Sequence, residues 1–357
     1  MLKQADRVVR IAIDAMGGDF GPSVTVPGML KAMKDLGADK VSFLLYGDER
    51  EIRPILNKYP QLNSITEVHH TDYVVANDEK PSIALRTGRH SSMRLAINAV
   101  KEGHADCIVS AGNTGALMAM AKMVMKCLPG IHRPAIGSVF PSIGDDIVML
   151  DLGANLQCDE EVLAQFAILG TVYARVVQGI ERPSVALLNI GSEEMKGHEE
   201  IRAAAAILSQ VDFPGNFVGF VEGSDVPMGK VHVVVADGFT GNIALKMAEG
   251  VGKMSTHLMR NAFKSSVFAF LGYLLSKRAL RRMKDRIDPR VYNGGMFLGL
   301  AGVCVKSHGG SDDIGFSYAI KGAYKLVSNR FNERVAEEIE ELMSQESFIT
   351  KDIFKEA

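Results

Sequence analysis

The chain has 357 residues, 47% hydrophobic and 23% charged, the balance of an ordinary globular protein with ample length for a large core. A formal net charge of −2 excludes a whole-molecule field of the kind that gathers nucleic acid, so any basic docking site must be local. No run of about 18 apolar residues occurs, which argues against a membrane-spanning helix.

The lead, MLKQADRVVRIAID, passes from a short polar stretch into an apolar run without the layout of a signal peptide, so a cytoplasmic protein is expected. From there one pattern recurs along the chain. Apolar, β-branched runs end abruptly in Asp, Asn, Ser or Gly: VVRIAID, VSFLLYG, DCIVS, IVMLD, SVALLN, NFVGFV and VHVVVA. Helix-like segments follow several of them, at Glu160–Gln178, Glu199–Ser209 and Thr240–His257. Continuous apolar strands alternating with helices predict an α/β fold, a largely parallel sheet covered on both faces. The acidic stretch Glu333–Glu346 predicts an amphipathic surface helix. Cys107, Cys127, Cys158 and Cys304 are scattered without a CxxC pair, which predicts reduced, buried thiols.

In such a sheet the turns after the strands gather along the carboxyl edge, where open α/β sheets bind ligands. Five turns are therefore expected to converge: 14–21 with Asp14, Gly17 and Gly18; 110–115 with Gly112, Asn113, Thr114 and Gly115; 151–155 with Asp151 and Asn155; 189–197 with Lys196; and 237–242 with Asp237, Thr240 and Asn242, followed by Lys246. None fits GxGxxG, GxxxxGK[ST] or GxSxG, so a dinucleotide, a nucleoside triphosphate and a serine nucleophile are all poorly supported. Glycine turns opening helices still present backbone N–H groups to a single phosphate or carboxylate. AGNTGA and DGFTGN both have this character. The strand-end aspartates would also suit oxygen-only ligation of Mg²⁺, although their spacing specifies no metal.

His308, in VKSHGGSD, is the histidine that lies in a glycine-rich polar turn, either structural or a proton donor. His69, His70, His90 and His104 fall in polar, loop-like contexts. The methionines of ALMAMAKMVM read as core or as the lining of an apolar groove. From Val267 to Leu275, with Phe268, Leu271 and Leu274, the chain is apolar; Lys277, Arg278, Arg281 and Arg282 follow closely. That pairing suits an interfacial helix on anionic lipid, or a dimer-interface helix with a solvated basic end.

Seven motifs in order, DAMGGDFGP, SAGNTGA, HRPA, DLGAN, NIGSEEMKG, DGFTGN and SHGGSD, resemble the bacterial phosphate acyltransferase family (PlsX), over roughly Val9 to Arg330. The resemblance implies a three-layer α/β/α fold related to phosphotransacetylases and isocitrate dehydrogenases. It implies one catalytic domain over 8–345, a protruding helical hairpin over 250–290 and a tail at 346–357. It further implies a homodimer, peripheral attachment to the inner face of the cell membrane, and no cofactor. The implied reaction converts acyl-acyl-carrier-protein and inorganic phosphate to acyl phosphate and free carrier protein, opening phospholipid synthesis. A membrane glycerol-3-phosphate acyltransferase then uses the product. Gly88, where a basic residue is common, and Met296, where a small one is usual, depart from the family pattern.

Phosphate is already an anionic nucleophile and a thioester has a good leaving group, so positioning and oxyanion stabilisation are the main tasks. Phosphate is assigned to the amides and Thr114 of the 112–116 turn, with Lys196 neutralising charge, Asn113 and Asn242 donating to the oxyanion, and His308 as general acid. Asp14, Asp151 and Asp237 would hold turns and lysines in place. The acidic carrier protein should favour a basic patch, with Arg86, Arg89 and Arg94 as candidates beside the Lys277–Arg286 cluster. Two rivals stay open: a phosphotransacetylase-like enzyme acting on acyl-CoA, and a membrane-surface binding protein without turnover.

Overall fold

The computed structural model describes residues 7–344, apart from 287 and 289. The first half runs β1 (Val9–Asp14), α1 (Pro22–Leu36), β2 (Val41–Gly47), α2 (Glu49–Leu56), β3 (Thr66–His70), α3 (Pro81–Thr87), α4 (Ser92–Lys101), β4 (Cys107–Ser110) and α5 (Thr114–Met125). The middle comprises β5 (Ala135–Phe140), β6 (Ile147–Leu150), α6 (Glu160–Gln178), β7 (Ser184–Leu188), α7 (Glu199–Leu208), β8 (Asn216–Val221) and β9 (Val233–Val235). Two long helices, α8 (Gly238–Lys264) and α9 (Val267–Arg286), precede β10 (Gly295–Leu298), β11 (Val303–Lys306), α10 (Asp313–Ser328) and α11 (Phe331–Ser344).

All seven apolar runs are strands of one eleven-stranded sheet, in the order β3-β2-β1-β4-β11-β10-β5-β6-β9-β7-β8. The remaining four carry weaker signals. His69 and His70, expected in a loop, lie on β3, whose sequence TEVHH has little apolar character; pairing to β2 holds it at the sheet's end. Side chains alternate across the sheet as the pleat requires. Ile11, Ile13, Phe43, Val109 and Val305 join one core with α1, α6 and α10, while Ala12, Ile108, Cys304 and Phe297 join the other with α4 and α5. These two cores make the three layers. Helix α6 is buried all round from Val162 to Ala174 because α7 and α11 cover the side that the sheet does not.

The strands do not all run one way. β1, β2, β3, β4 and β11 are mutually parallel, β10 opposes β11 and β5, and β6 opposes β5. β9, β7 and β8 then follow β6. The β5–β6 hairpin thus reverses the second half of the sheet, and the carboxyl ends of its two halves lie at opposite edges. The expected convergence of five turns is therefore corrected. Turns 14–21 and 110–115 share one edge; turns 151–155, 189–197 and 237–242 share the other.

Helix α11 buries Phe331, Val335, Ile339 and Leu342, spaced four, four and three apart, and turns its acidic face outward. The last residues of the acidic stretch and the 346–357 tail lie outside the described residues. Helix α8 is about 40 Å long and buries only Gly238 and Gly241. It packs on α9, with the Phe263 and Tyr273 rings 5.6 Å apart. Among the described residues no helix is long and apolar enough to cross a membrane.

Candidate active site

The first edge is built from three turns laid side by side by the β1–β4–β11 pairing. Asp14 ends β1 fully buried, its Oδ1 accepting from Ser92 Oγ and its Oδ2 from Ser110 Oγ, both at 2.6 Å. Ser110 Oγ also accepts from the Gly112 N–H at 3.1 Å, so one hydroxyl ties the carboxylate to the glycine turn. Burial pushes the Asp14 carboxyl above its ordinary range, while the two hydroxyls and nearby Lys306 hold it back.

Glycine is required here by space. A Cβ on Gly17 would lie 2.7 Å from both Asp14 Oδ2 and the Gly112 nitrogen. Gly18 has φ +87 and would bring its Cβ 2.9 Å from the Gly309 carbonyl oxygen. The third turn is tied in through Asp19 N–H, which donates to that same carbonyl at 2.9 Å.

Helix α5 starts at this edge, which gives its N-terminus the backbone donors and dipole that favour an anion. Asn113 caps it, accepting from Ala116 N–H at 3.0 Å. Its Nδ2 donates to the Asn77 and Glu79 carbonyls at 3.0 and 2.8 Å, so this amide anchors the 76–79 loop to the turn. Thr114 is exposed at the mouth. Lys306, at the end of β11, donates to the Ala111 carbonyl at 3.0 Å and also to that of Ser307. Burial pulls its ammonium down to about 8, against Asp14 and Asp19, which hold it up. His308 is exposed; its Nδ1 accepts from Gly310 N–H at 3.1 Å, which in the neutral ring leaves the proton on Nε2.

The second edge is a closed knot. Asp151 Oδ1 accepts from the N–H groups of Ile136, Gly153 and Ala154, and Oδ2 from the N–H and Nδ2 of Asn155. Asp237 caps α8 through Thr240 N–H and Oγ1, both at 2.8 Å. Asn242 Nδ2 donates to the Leu152 carbonyl at 3.0 Å. Lys196 and Lys246 are exposed and paired with Glu193 and Glu249, at 2.9 and 3.0 Å. Lys196 and Asn242 therefore lie at the edge opposite Asn113, Thr114 and His308. The strand-end aspartates are divided in the same way, which removes the shared Mg²⁺ site. Among the described residues no group of three or more His, Cys, Asp or Glu side chains is placed to hold a metal ion.

Arg86 and Arg89 are exposed around α3, and Arg94 is half-buried, its Nε donating to Asn98 Oδ1 at 3.1 Å. Gly88 sits tightly between them, with any Cβ 2.8 Å from Met120 Cε. Met296 is buried on β10, its Cε filling the space a side chain at Gly322 would need. On α9, Phe268, Leu271 and Leu274 are exposed, as are Lys277, Arg278, Arg281 and Arg282.

A family described as "Fatty acid synthesis protein" matches residues 9–334. The chain belongs to this family. It is 56% identical over 337 residues to the phosphate acyltransferase of Rhodospirillum centenum, covering 94% of each chain. With the phosphate acyltransferase of Paramagnetospirillum magneticum the identity is 50%, over 95% of this chain and 96% of the relative. The fold is shared at 16% identity with a phosphotransacetylase from Streptococcus pyogenes, at a TM-score of 0.62 over 90% of this chain and 94% of that one. The EutD phosphotransacetylase from Staphylococcus aureus gives 0.58 at 16% identity, over 91% and 95%.

The sequence reading gave no role of their own to Lys306 and the buried serines Ser92 and Ser110. Lys306 ends a four-residue apolar run, VCVK, just before SHGG, the same run-then-polar signal that marked the other strands.

Proposed function

We propose that this chain is a phosphate acyltransferase, converting a long-chain acyl-acyl-carrier-protein and inorganic phosphate to acyl phosphate and free carrier protein. The observation that carries the reading is 56% identity along 94% of both chains with a relative of that name. The first edge agrees with it chemically: an anion-ready helix start, a cation on the glycine turn, and no serine elbow.

A phosphate oxygen attacks the thioester carbonyl carbon and forms the C–O bond. The tetrahedral oxyanion collapses, the C–S bond breaks, and sulfur leaves with the electron pair. The thiolate takes a proton from solvent or from His308 Nε2. Phosphate sits against the Thr114 and Gly115 backbone amides and Thr114 Oγ1, beside Gly112, whose own N–H is held by Ser110 Oγ, and Asn113 keeps this turn in register with the 76–79 loop.

On this reading residues 8–345 act as one catalytic domain, in a homodimer. The apolar α9 face with its basic end rests on an anionic membrane surface, on the inner side of the cell membrane. The acidic carrier protein docks on Arg86, Arg89 and Arg94. A membrane glycerol-3-phosphate acyltransferase consumes the acyl phosphate. Thiol release compared between palmitoyl-carrier protein and palmitoyl-CoA tests the substrate. Faster turnover of the carrier-protein thioester supports the proposal, and preference for CoA replaces it with a phosphotransacetylase-like activity.

A further inference from the structure

A phosphate held on the 112–116 turn needs a counter-charge, and the cations first expected to provide it are elsewhere. Lys196 and Lys246 stand at the opposite edge, each paired with a glutamate. Arg86 and Arg89 extend into solvent from the α3 region. Among the described residues, Lys306 is the cation whose hydrogen bonds fall on the glycine turn itself, through the Ala111 carbonyl at 3.0 Å.

We propose that Lys306 is the phosphate-binding cation of this site, held by the carbonyls of Ala111 and Ser307 so that its third N–H meets the anion on the glycine turn. This rests on the phosphate acyltransferase reading and names the residue that makes its anion site work. An ammonium has three donors. Two are fixed on carbonyls just past the ends of β4 and β11, so the group is aimed before phosphate arrives and little side-chain freedom is lost on binding. The groups that face it are Asp14 from β1, Asp19 from the β1–α1 turn and Cys304 from its own strand. Asp14 is already engaged by Ser92 and Ser110, and Asp19 by Asn77 Nδ2 at 3.0 Å. That leaves the lysine one N–H for a phosphate oxygen. Burial leaves its ammonium poorly hydrated, so it interacts strongly with an incoming charge.

The test is inorganic phosphate binding by calorimetry, together with the phosphate KM, for the wild-type chain, Lys306→Met and Lys306→Arg. Lys306→Met should weaken phosphate binding by about 30-fold and raise the phosphate KM by a similar factor, while the thioester KM stays near wild type. Lys306→Arg, which keeps the charge in a different shape, should recover part of the loss. Full phosphate affinity in Lys306→Met overturns the proposal, whether or not thioester turnover is found. Failure of the activity reading would appear instead as phosphate binding that depends on Lys306 without any thiol release. Should Lys306→Met not fold, the wild-type protein supplies the measurement. Above pH 8 phosphate is almost wholly the dianion, so its affinity should fall as the pH rises from there and Lys306 loses its proton. An affinity that stays flat from pH 8 through the ordinary lysine range, to about pH 11, overturns the proposal equally.

Discussion

Ser92→Ala and Ser110→Ala separate two roles that look alike in the buried site. Each hydroxyl donates to Asp14 at 2.6 Å, and a hydrogen bond to a charged group is worth about 1.5–3 kcal/mol. Ser92→Ala should therefore cost about that much. Ser110→Ala removes the same kind of bond and also strips the buried Gly112 N–H of its acceptor, adding about 1–3 kcal/mol for an unsatisfied donor. The assay is urea unfolding at fixed protein concentration, comparing midpoints at unchanged m-value. Phosphate KM should rise in Ser110→Ala more than in Ser92→Ala, because only Ser110 touches the glycine turn. Equal stability losses for the two variants would refute the idea that Ser110 links the carboxylate to that turn.

Gly241→Ala should destabilise the fold by about 3 kcal/mol or more, since its Cβ would lie 1.8 Å from the Asp151 carbonyl oxygen, whereas Gly250→Ala on the same helix meets nothing within 4 Å and should gain about 1 kcal/mol in thermal or urea unfolding. Phe268→Asp with Leu271→Asp should lower co-sedimentation with anionic liposomes more than tenfold; unchanged binding would remove α9 from the membrane contact. Lys196→Ala should leave the phosphate KM at its wild-type value, and a raised value would bring the second edge back into the reaction centre. Cys107 and Cys304, both buried with thiols pushed well up by burial, should resist alkylation at pH 8 until the chain is unfolded.

Much of the fold is legible in the sequence because parallel strands buried on both faces must be apolar along their whole length. The runs of β1, β2, β4, β6, β7 and β9 satisfy that rule, β8 at the end of the sheet is apolar though partly exposed, and α6 occupies the predicted Glu160–Gln178 span. What the reading missed is direction. AIGSVF and IVML are two short apolar runs joined by PSIGDD, whose Pro141 and Gly144 mark a hairpin, and this one reversal divides the site turns between two edges. Local chemistry was read better than its placement. The glycine turn at Gly112 is where helix α5 begins, yet Asn113 turned out to be committed as a cap and Lys196 to lie across the sheet. Ser92 lay outside every motif and Ser110 opened SAGNTGA without a role of its own, because a hydroxyl that braces a buried carboxylate looks in sequence like any other serine at the start of a helix or the end of a strand.

The most direct measurement is thiol release from palmitoyl-carrier protein with and without inorganic phosphate, trapping the product with hydroxylamine as the hydroxamate. The account predicts release that depends on phosphate and is matched mole for mole by trapped acyl phosphate. Release at the same rate without phosphate, or none with it, would contradict the account.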